Sequence, residues 1–74
     1  MNIKYRFMAA GIKQLELAMR VEQMMQADRL DWKCSRCTVS EVLGKVERGE
    51  ILVGKEIKIY EYLQQIAAGL PADI

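Results

Sequence analysis

Two patterns of apolar and polar side chains follow one another in the first third of the chain. Ile3, Tyr5 and Phe7 alternate with polar residues, which is the period of two expected for a strand with one buried face. From Met8 to about Ala27, apolar residues recur instead at helical spacing, without a proline. We therefore predict a short N-terminal strand followed by a long first helix.

The predicted long helix is apolar around more than half of its circumference. Such a helix needs packing partners on two sides, which a chain of 74 residues does not readily supply. We therefore expect a homodimer. Its interface would be formed by apolar residues of this helix, namely Met8, Ile12, Leu15, Leu17, Met19, Val21 and Met24.

The middle of the chain carries the pattern of a helix start. Thr38 and Glu41 have the spacing of a capping box, in which the hydroxyl and the carboxylate satisfy two backbone donors of the first turn. The sequence predicts a helix that starts near Val39 and is capped by Gly49. Its buried positions are expected to be Val39, Val42, Leu43 and Val46.

The last third of the chain predicts another helix, which follows a segment with two interpretations. Residues 51–58 either close a hairpin at Gly54 or lead from a short extended stretch into the helix, and we favour the extended stretch over a full hairpin. Gly69 and Pro71 are placed to end the helix. Its buried stripe consists of Ile59, Tyr62, Leu63, Ile66 and Leu70.

The predicted elements make one small, mainly α domain that covers residues 1–74. It has a short N-terminal strand, a long N-terminal helix, a short capped middle helix and a C-terminal helix, and we expect it to be dimeric. Its 51% hydrophobic and 28% charged residues are those of a globular chain, and its net charge of +1 selects no partner.

Several functional classes are disfavoured by the composition. The chain has no histidine, the side chain that most often serves as general base or metal ligand. It also has no apolar stretch long enough to cross a bilayer, and its first residues lack the apolar core of a secretion signal. We expect a cytoplasmic protein that is not an enzyme and that uses no cofactor, no small-molecule substrate and no membrane.

Cys34 and Cys37 form a single C-x-x-C pair. A structural zinc ion needs four ligands, so one chain cannot complete the site with this pair alone. Two chains of a dimer can supply four thiolates, and in this respect the pair resembles the zinc hook of helical hairpin proteins. Reduced structural thiols, which we favour, and redox sensing are the alternatives.

Two features of the chain resemble ribbon-helix-helix repressors. The segment Val39–Val46 contains Ser-Glu followed by two apolar residues and then a basic one, as is frequent in the second helix of that family. Lys4 and Arg6 on the predicted N-terminal strand are similar to the residues of its DNA-reading ribbon. The resemblance implies that two strands pair across a dimer and enter the major groove, with Asn2, Lys4 and Arg6 toward DNA and Ile3, Tyr5 and Phe7 toward the core.

A second resemblance, to helix-turn-helix regulators of the phage-repressor or excisionase kind, rests on the segments Ser35–Ser40 and Glu47–Glu50. It implies that Arg36, Thr38 and Lys45 face DNA. We therefore predict a homodimeric DNA-binding transcriptional regulator, such as the repressor of a phage or mobile element. The alternative is a module that binds another protein and inhibits or modulates it.

Overall fold

The chain folds into four α-helices in a computed structural model that describes residues 3–70. They are α1 (Ile3–Ala9), α2 (Gln14–Ala27), α3 (Arg36–Glu47) and α4 (Lys55–Ala68). Helices α2, α3 and α4 pack against one another, and α1 lies against α4. The prediction of a mainly α domain is confirmed, but the predicted N-terminal strand is wrong, since residues 3–70 contain no strand.

The N-terminal segment is helical because its apolar residues also fit the helical repeat. Phe7 is buried, and Ile3, one turn earlier on the same face, packs against the core. Tyr5, which the strand interpretation placed on the buried face, is 55% exposed. A strand without a neighbour leaves its backbone donors and acceptors unpaired, whereas a helix satisfies most of them internally. No strand among the described residues is available to pair with this segment.

The predicted long first helix is divided into α1 and α2 by a turn at Gly11. Gly11 has a φ of +75°. Its N–H donates to the carbonyl of Met8 over 3.1 Å, and the N–H of Ile12 donates to the carbonyl of Phe7 over 3.0 Å. These two hydrogen bonds form a Schellman motif, which needs a left-handed residue and therefore favours glycine. The turn allows α1 to leave the axis of α2 and to contact α4.

Helix α2 ends in the same motif without a glycine. Arg29 has a φ of +62°, and the N–H of Leu30 donates to the carbonyl of Met25 over 2.8 Å. Residues 28–35 then connect α2 to α3 without regular structure. The N–H of Cys34 donates to the carboxylate of Glu22 over 3.1 Å, so the end of this connector is hydrogen-bonded to α2.

Helix α3 begins three residues earlier than the sequence predicted. Ser35, not Thr38, is the N-cap, and its hydroxyl oxygen accepts a hydrogen bond from the Thr38 N–H over 3.2 Å. The helix ends before Gly49, whose φ of +74° completes a third Schellman motif. Val39, Val42 and Leu43 are buried as predicted.

Helix α4 follows directly on Gly54, so the hairpin interpretation of residues 51–58 is wrong. Ile59, Tyr62 and Leu63 are buried as predicted. The Tyr62 hydroxyl donates a hydrogen bond to the Asp28 carboxylate and ties α4 to the end of α2. This hydrogen bond, together with burial and the nearby negative charge, raises the pKa of Tyr62 to about 12.

A single chain builds the core, and this corrects the dimer-interface assignment for Leu17 and Val21. Leu17 and Val21 are buried by α3 and α4 of their own chain, with 1% and 0% exposure, so they are not available to a second copy. Ile12 and Met24 are half-buried against the same core. Met8, Leu15 and Met19 are exposed. One apolar side of the predicted helix thus packs within the chain, whereas Met8, Leu15 and Met19 stay exposed, and the fold gives no support to the dimer.

Candidate functional site: an apolar groove with a basic rim

A groove of about 520 Å³ lies where α1, the Gly11 turn and the N-termini of α2 and α3 meet. This volume is in the range of sites that enclose a small ligand or a few side chains of a partner. The groove is open to solvent, and most of its surface is apolar. Its apolar side chains are those of Phe7, Met8, Ile12, Leu15 and Leu17.

Two of these side chains project into solvent from opposite sides of the Gly11 turn. Met8 is 63% exposed and Leu15 is 58% exposed, although α1 and α2 each bury other apolar residues in the core. Phe7 and Leu17, next to them in the groove, are fully buried. The groove therefore combines a base of buried core residues with two exposed apolar side chains, and burying these two against a partner would stabilise a complex.

The rim of the groove is basic. Lys4, Lys13 and Arg36 line it, together with Gln14, and none of the described lining residues is acidic. Lys4 pairs with Glu47 over 3.2 Å at the surface. Within residues 3–70, Lys13 and Arg36 make no ion pair. Lys13 is also the N-cap residue of α2, and the positive end of the α2 dipole adds to the same potential.

The structure brings together only part of the set that the sequence assigned to DNA. Lys4 and Arg36, separated by 32 positions, line one groove. Arg6 lies on α1 in place of the expected ribbon and is not among the described lining residues. Asn2, which the ribbon interpretation also placed toward DNA, lies outside the described residues.

The other two predicted DNA contacts, Thr38 and Lys45, are engaged within the fold. Thr38 serves the first turn of α3, where its hydroxyl lies 3.1 Å from that of Ser35. Lys45 joins α3 to α4 by an ion pair with Glu56, at 2.5 Å. The hydrogen bond to Glu56 raises the pKa of Lys45, and the same contact lowers the pKa of Glu56.

The two cysteines are free thiols in different environments. Cys34 is buried, and burial followed by the charge of Glu22 raises its pKa to about 11. Cys37 is exposed on the first turn of α3. Within residues 3–70, no three His, Cys, Asp or Glu side chains are grouped so that they could hold a metal ion. A zinc ion shared between two chains through Cys34 and Cys37 stays a prediction.

Sequence reasoning missed Phe7, Lys13 and Gln14 as residues of the site. Lys13 falls within the predicted long helix from Met8 to about Ala27, where nothing distinguishes it from an ordinary surface charge. The available signal was Gly11, because a glycine within a helical pattern can mark the end of one helix and the start of the next. A helix break at Gly11 would place residues 7 and 13 on the two sides of one turn.

None of the helices in the described part of the chain is long and apolar enough to cross a membrane. Comparison with known proteins finds no matching family, no matching curated protein and no matching solved structure.

Proposed function

We propose that the protein is a non-enzymatic binding module that captures a segment of another protein in the groove between α1 and α2. The observation that carries this proposal is the pairing of Met8 and Leu15, two exposed apolar side chains above a groove whose base is core. Exposed apolar side chains grouped around a concavity are typical of protein-binding surfaces. The proposal takes the cytoplasm as its compartment, where free thiols such as Cys34 and Cys37 stay reduced.

The groove can supply only part of the binding free energy. Full burial of one large apolar side chain contributes about 1.5–3 kcal/mol, and Met8 and Leu15 are already partly buried. Together they offer about 2–3 kcal/mol from their own surface. Since a micromolar complex needs about 8 kcal/mol, the segment must bring apolar side chains of its own and make polar contacts at the rim.

DNA binding by a small regulator is the second candidate. It is favoured by Arg36, an exposed cation at the start of α3 that makes no ion pair within residues 3–70. Three observations rank it below protein binding: α1 replaces the ribbon, Lys45 is held by Glu56, and the α2–α3 connector has eight residues. A helix-turn-helix joins its helices by a turn of about three or four residues.

A pair of single substitutions tests the groove as the binding surface. Leu15→Asp places a carboxylate in the groove at the second residue of α2, where the helix dipole favours it and the helix should persist. Ile57→Asp makes the same kind of change at another exposed apolar residue that is not among the groove's described lining residues. Both proteins are used as affinity baits in extract of the source cells, beside the wild type.

The expected result is a protein that the wild type and Ile57→Asp retain and that Leu15→Asp loses. That protein, once purified, should bind at a stoichiometry of one per chain. Identical retention by wild type and Leu15→Asp would refute the groove as the site. Binding to a mixed-sequence DNA duplex that weakens steeply with salt would favour the second candidate, and light scattering that shows a dimer broken by Leu15→Asp would identify the occupant as a second copy.

A further inference from the structure

We propose that the groove selects an acidic amphipathic segment, which inserts an apolar side chain between Met8 and Leu15 and places carboxylates against Lys13 and Arg36. This inference rests on the function proposed above and specifies the chemistry of the partner. Its basis is the contrast between an apolar interior and a rim that carries positive charge alone among the described lining residues.

The charge at the groove is a local feature. The whole chain is nearly balanced, with 11 basic and 10 acidic residues, yet three cations and no described acidic residue line this one concavity. Within residues 3–70, Arg6, Arg29, Lys33 and Lys55 also make no ion pair. What distinguishes Lys13 and Arg36 from them is that both line the apolar groove. An unpaired cation beside an apolar surface is the arrangement in which a partner's carboxylate forms a charge-assisted hydrogen bond away from bulk water.

Lys4 can join this set without disrupting the fold. Its ion pair with Glu47 lies at the surface, with the two side chains 35% and 39% exposed, and exposed pairs of this kind hold their partners weakly. A carboxylate of the bound segment can therefore share the Lys4 ammonium or replace Glu47. The selection for acidic segments itself rests on Lys13 and Arg36.

The same charges argue against a second copy of this chain as the occupant. A symmetric interface centred on the groove would bring Lys13 and Arg36 of one chain against the same two cations of the other. Repulsion among these four like charges, in a site that binding dehydrates, opposes that arrangement. An acidic segment from another protein meets no such penalty.

A selection from a displayed library of random peptides of about 12 residues tests this inference with the intact protein as bait, because a groove of this volume takes short segments. The enriched peptides are expected to carry at least one large apolar residue and a net negative charge. Each is then synthesised, and its affinity is measured by fluorescence anisotropy for the wild type and for three variants whose folding is checked by circular dichroism.

Leu15→Asp tests the groove as a whole, because it removes apolar surface and adds a negative charge, whereas the double variants test the basic residues of the rim. Leu15→Asp should abolish binding of the enriched peptides. The double variant Lys13→Glu/Arg36→Glu should weaken binding at least about tenfold, since two charge-assisted contacts become repulsive. The control, Lys33→Glu/Lys55→Glu, makes the same change in net charge at two exposed residues outside the described lining of the groove, and it should change affinity by less than about twofold.

The possible failures are distinct. Peptides that are neutral or basic, but still depend on Leu15, would overturn acidic selection and leave the proposed protein-binding groove standing. Peptides that bind equally well to Leu15→Asp, or no enrichment at all, would overturn both. Equal weakening by the two double variants would show that only long-range charge matters and would overturn the assigned roles of Lys13 and Arg36. Competition by a mixed-sequence DNA duplex with similar affinity would overturn the peptide assignment in favour of DNA.

Discussion

The contrast between Leu17 and Leu15 gives the sharpest test of how this chain is stabilised. The two leucines lie two residues apart on α2, yet Leu17 is fully buried in the core of a single chain and Leu15 is more than half exposed in the groove. The sequence pattern alone assigned both to a dimer interface. Substituting each by alanine distinguishes a residue of the core from a residue that is exposed in the unbound protein.

The burial of the two leucines sets the expected loss in the free energy of unfolding. Leu17→Ala removes three buried carbon atoms and leaves a cavity between α2 and its neighbours, which costs about 2–5 kcal/mol. Leu15→Ala removes side-chain surface that is mostly in water and opens no closed cavity, so we expect about 0.5–1 kcal/mol. A domain of this size has about 4–11 kcal/mol of stability in total. Leu17→Ala should therefore remove a large share of it, whereas Leu15→Ala should be tolerated.

The assay is equilibrium urea unfolding of the wild type and both variants, followed by far-ultraviolet circular dichroism over about a hundredfold range of protein concentration. The expected midpoints are independent of concentration, because each chain holds its own core. Two results would refute this reasoning: a loss for Leu17→Ala no larger than that for Leu15→Ala, or a wild-type midpoint that rises with protein concentration, as a stabilising dimer requires.

Three further predictions concern the helix cap, the buried tyrosine and the thiols. Ser35→Ala should lower the free energy of unfolding by about 1 kcal/mol, since the N-cap hydrogen bond is lost, and Thr38→Ala should lower it less. If urea unfolding showed the larger loss for Thr38→Ala, Thr38 would be the N-cap, as the sequence predicted. The pKa of Tyr62 is raised from 10.0 to about 12 in the fold, so the folded state keeps this proton better than the unfolded state. The resulting stability is fully present below pH 10 and lost as the pH rises through about 12. A titration of unfolding midpoints against pH should show a smaller alkaline loss for Tyr62→Phe than for the wild type, and parallel curves would contradict the assignment. Iodoacetamide near pH 8 should label the exposed Cys37 first, because the pKa of Cys34 is raised from 9.0 to about 11 and its thiolate is about a hundredfold scarcer than at the ordinary value. Mass spectrometry that found both thiols modified at one rate would show that Cys34 is not buried.

The elements that the sequence predicted well are those whose signals are local and redundant. Helix α4 carries a long apolar stripe and is followed by Gly69, so its type, buried face and end were all available from the pattern. Helix α3 was found three residues late because Ser35 and Thr38 are both capping residues. Only the hydrogen bond that forms in the fold decides between them.

The elements that were missed depend on contacts between distant residues. Ile3 and Phe7 fit a strand and a helix equally well over so short a segment, and packing against the core settles the choice. Arg29, at the end of α2, has the left-handed conformation that glycine usually adopts. Because the residue is not a glycine, the sequence did not indicate that the helix ends there. The groove was beyond reach for the same reason, since Arg36 joins Lys13 only after α3 has packed on α2.

The shortness of α1 has a consequence for how the groove works. A helix of seven residues is not stable alone. Among its described contacts, α1 is held by the buried Phe7, the half-buried Ile3 and the surface ion pair of Lys4 with Glu47. Segments with so few anchors open at lower free energy than the core that supports them. Because α1 forms one wall of the groove, this local opening can widen the groove while α2, α3 and α4 stay folded. Amide hydrogen exchange should therefore be fastest in α1, and a bound segment should slow it there first.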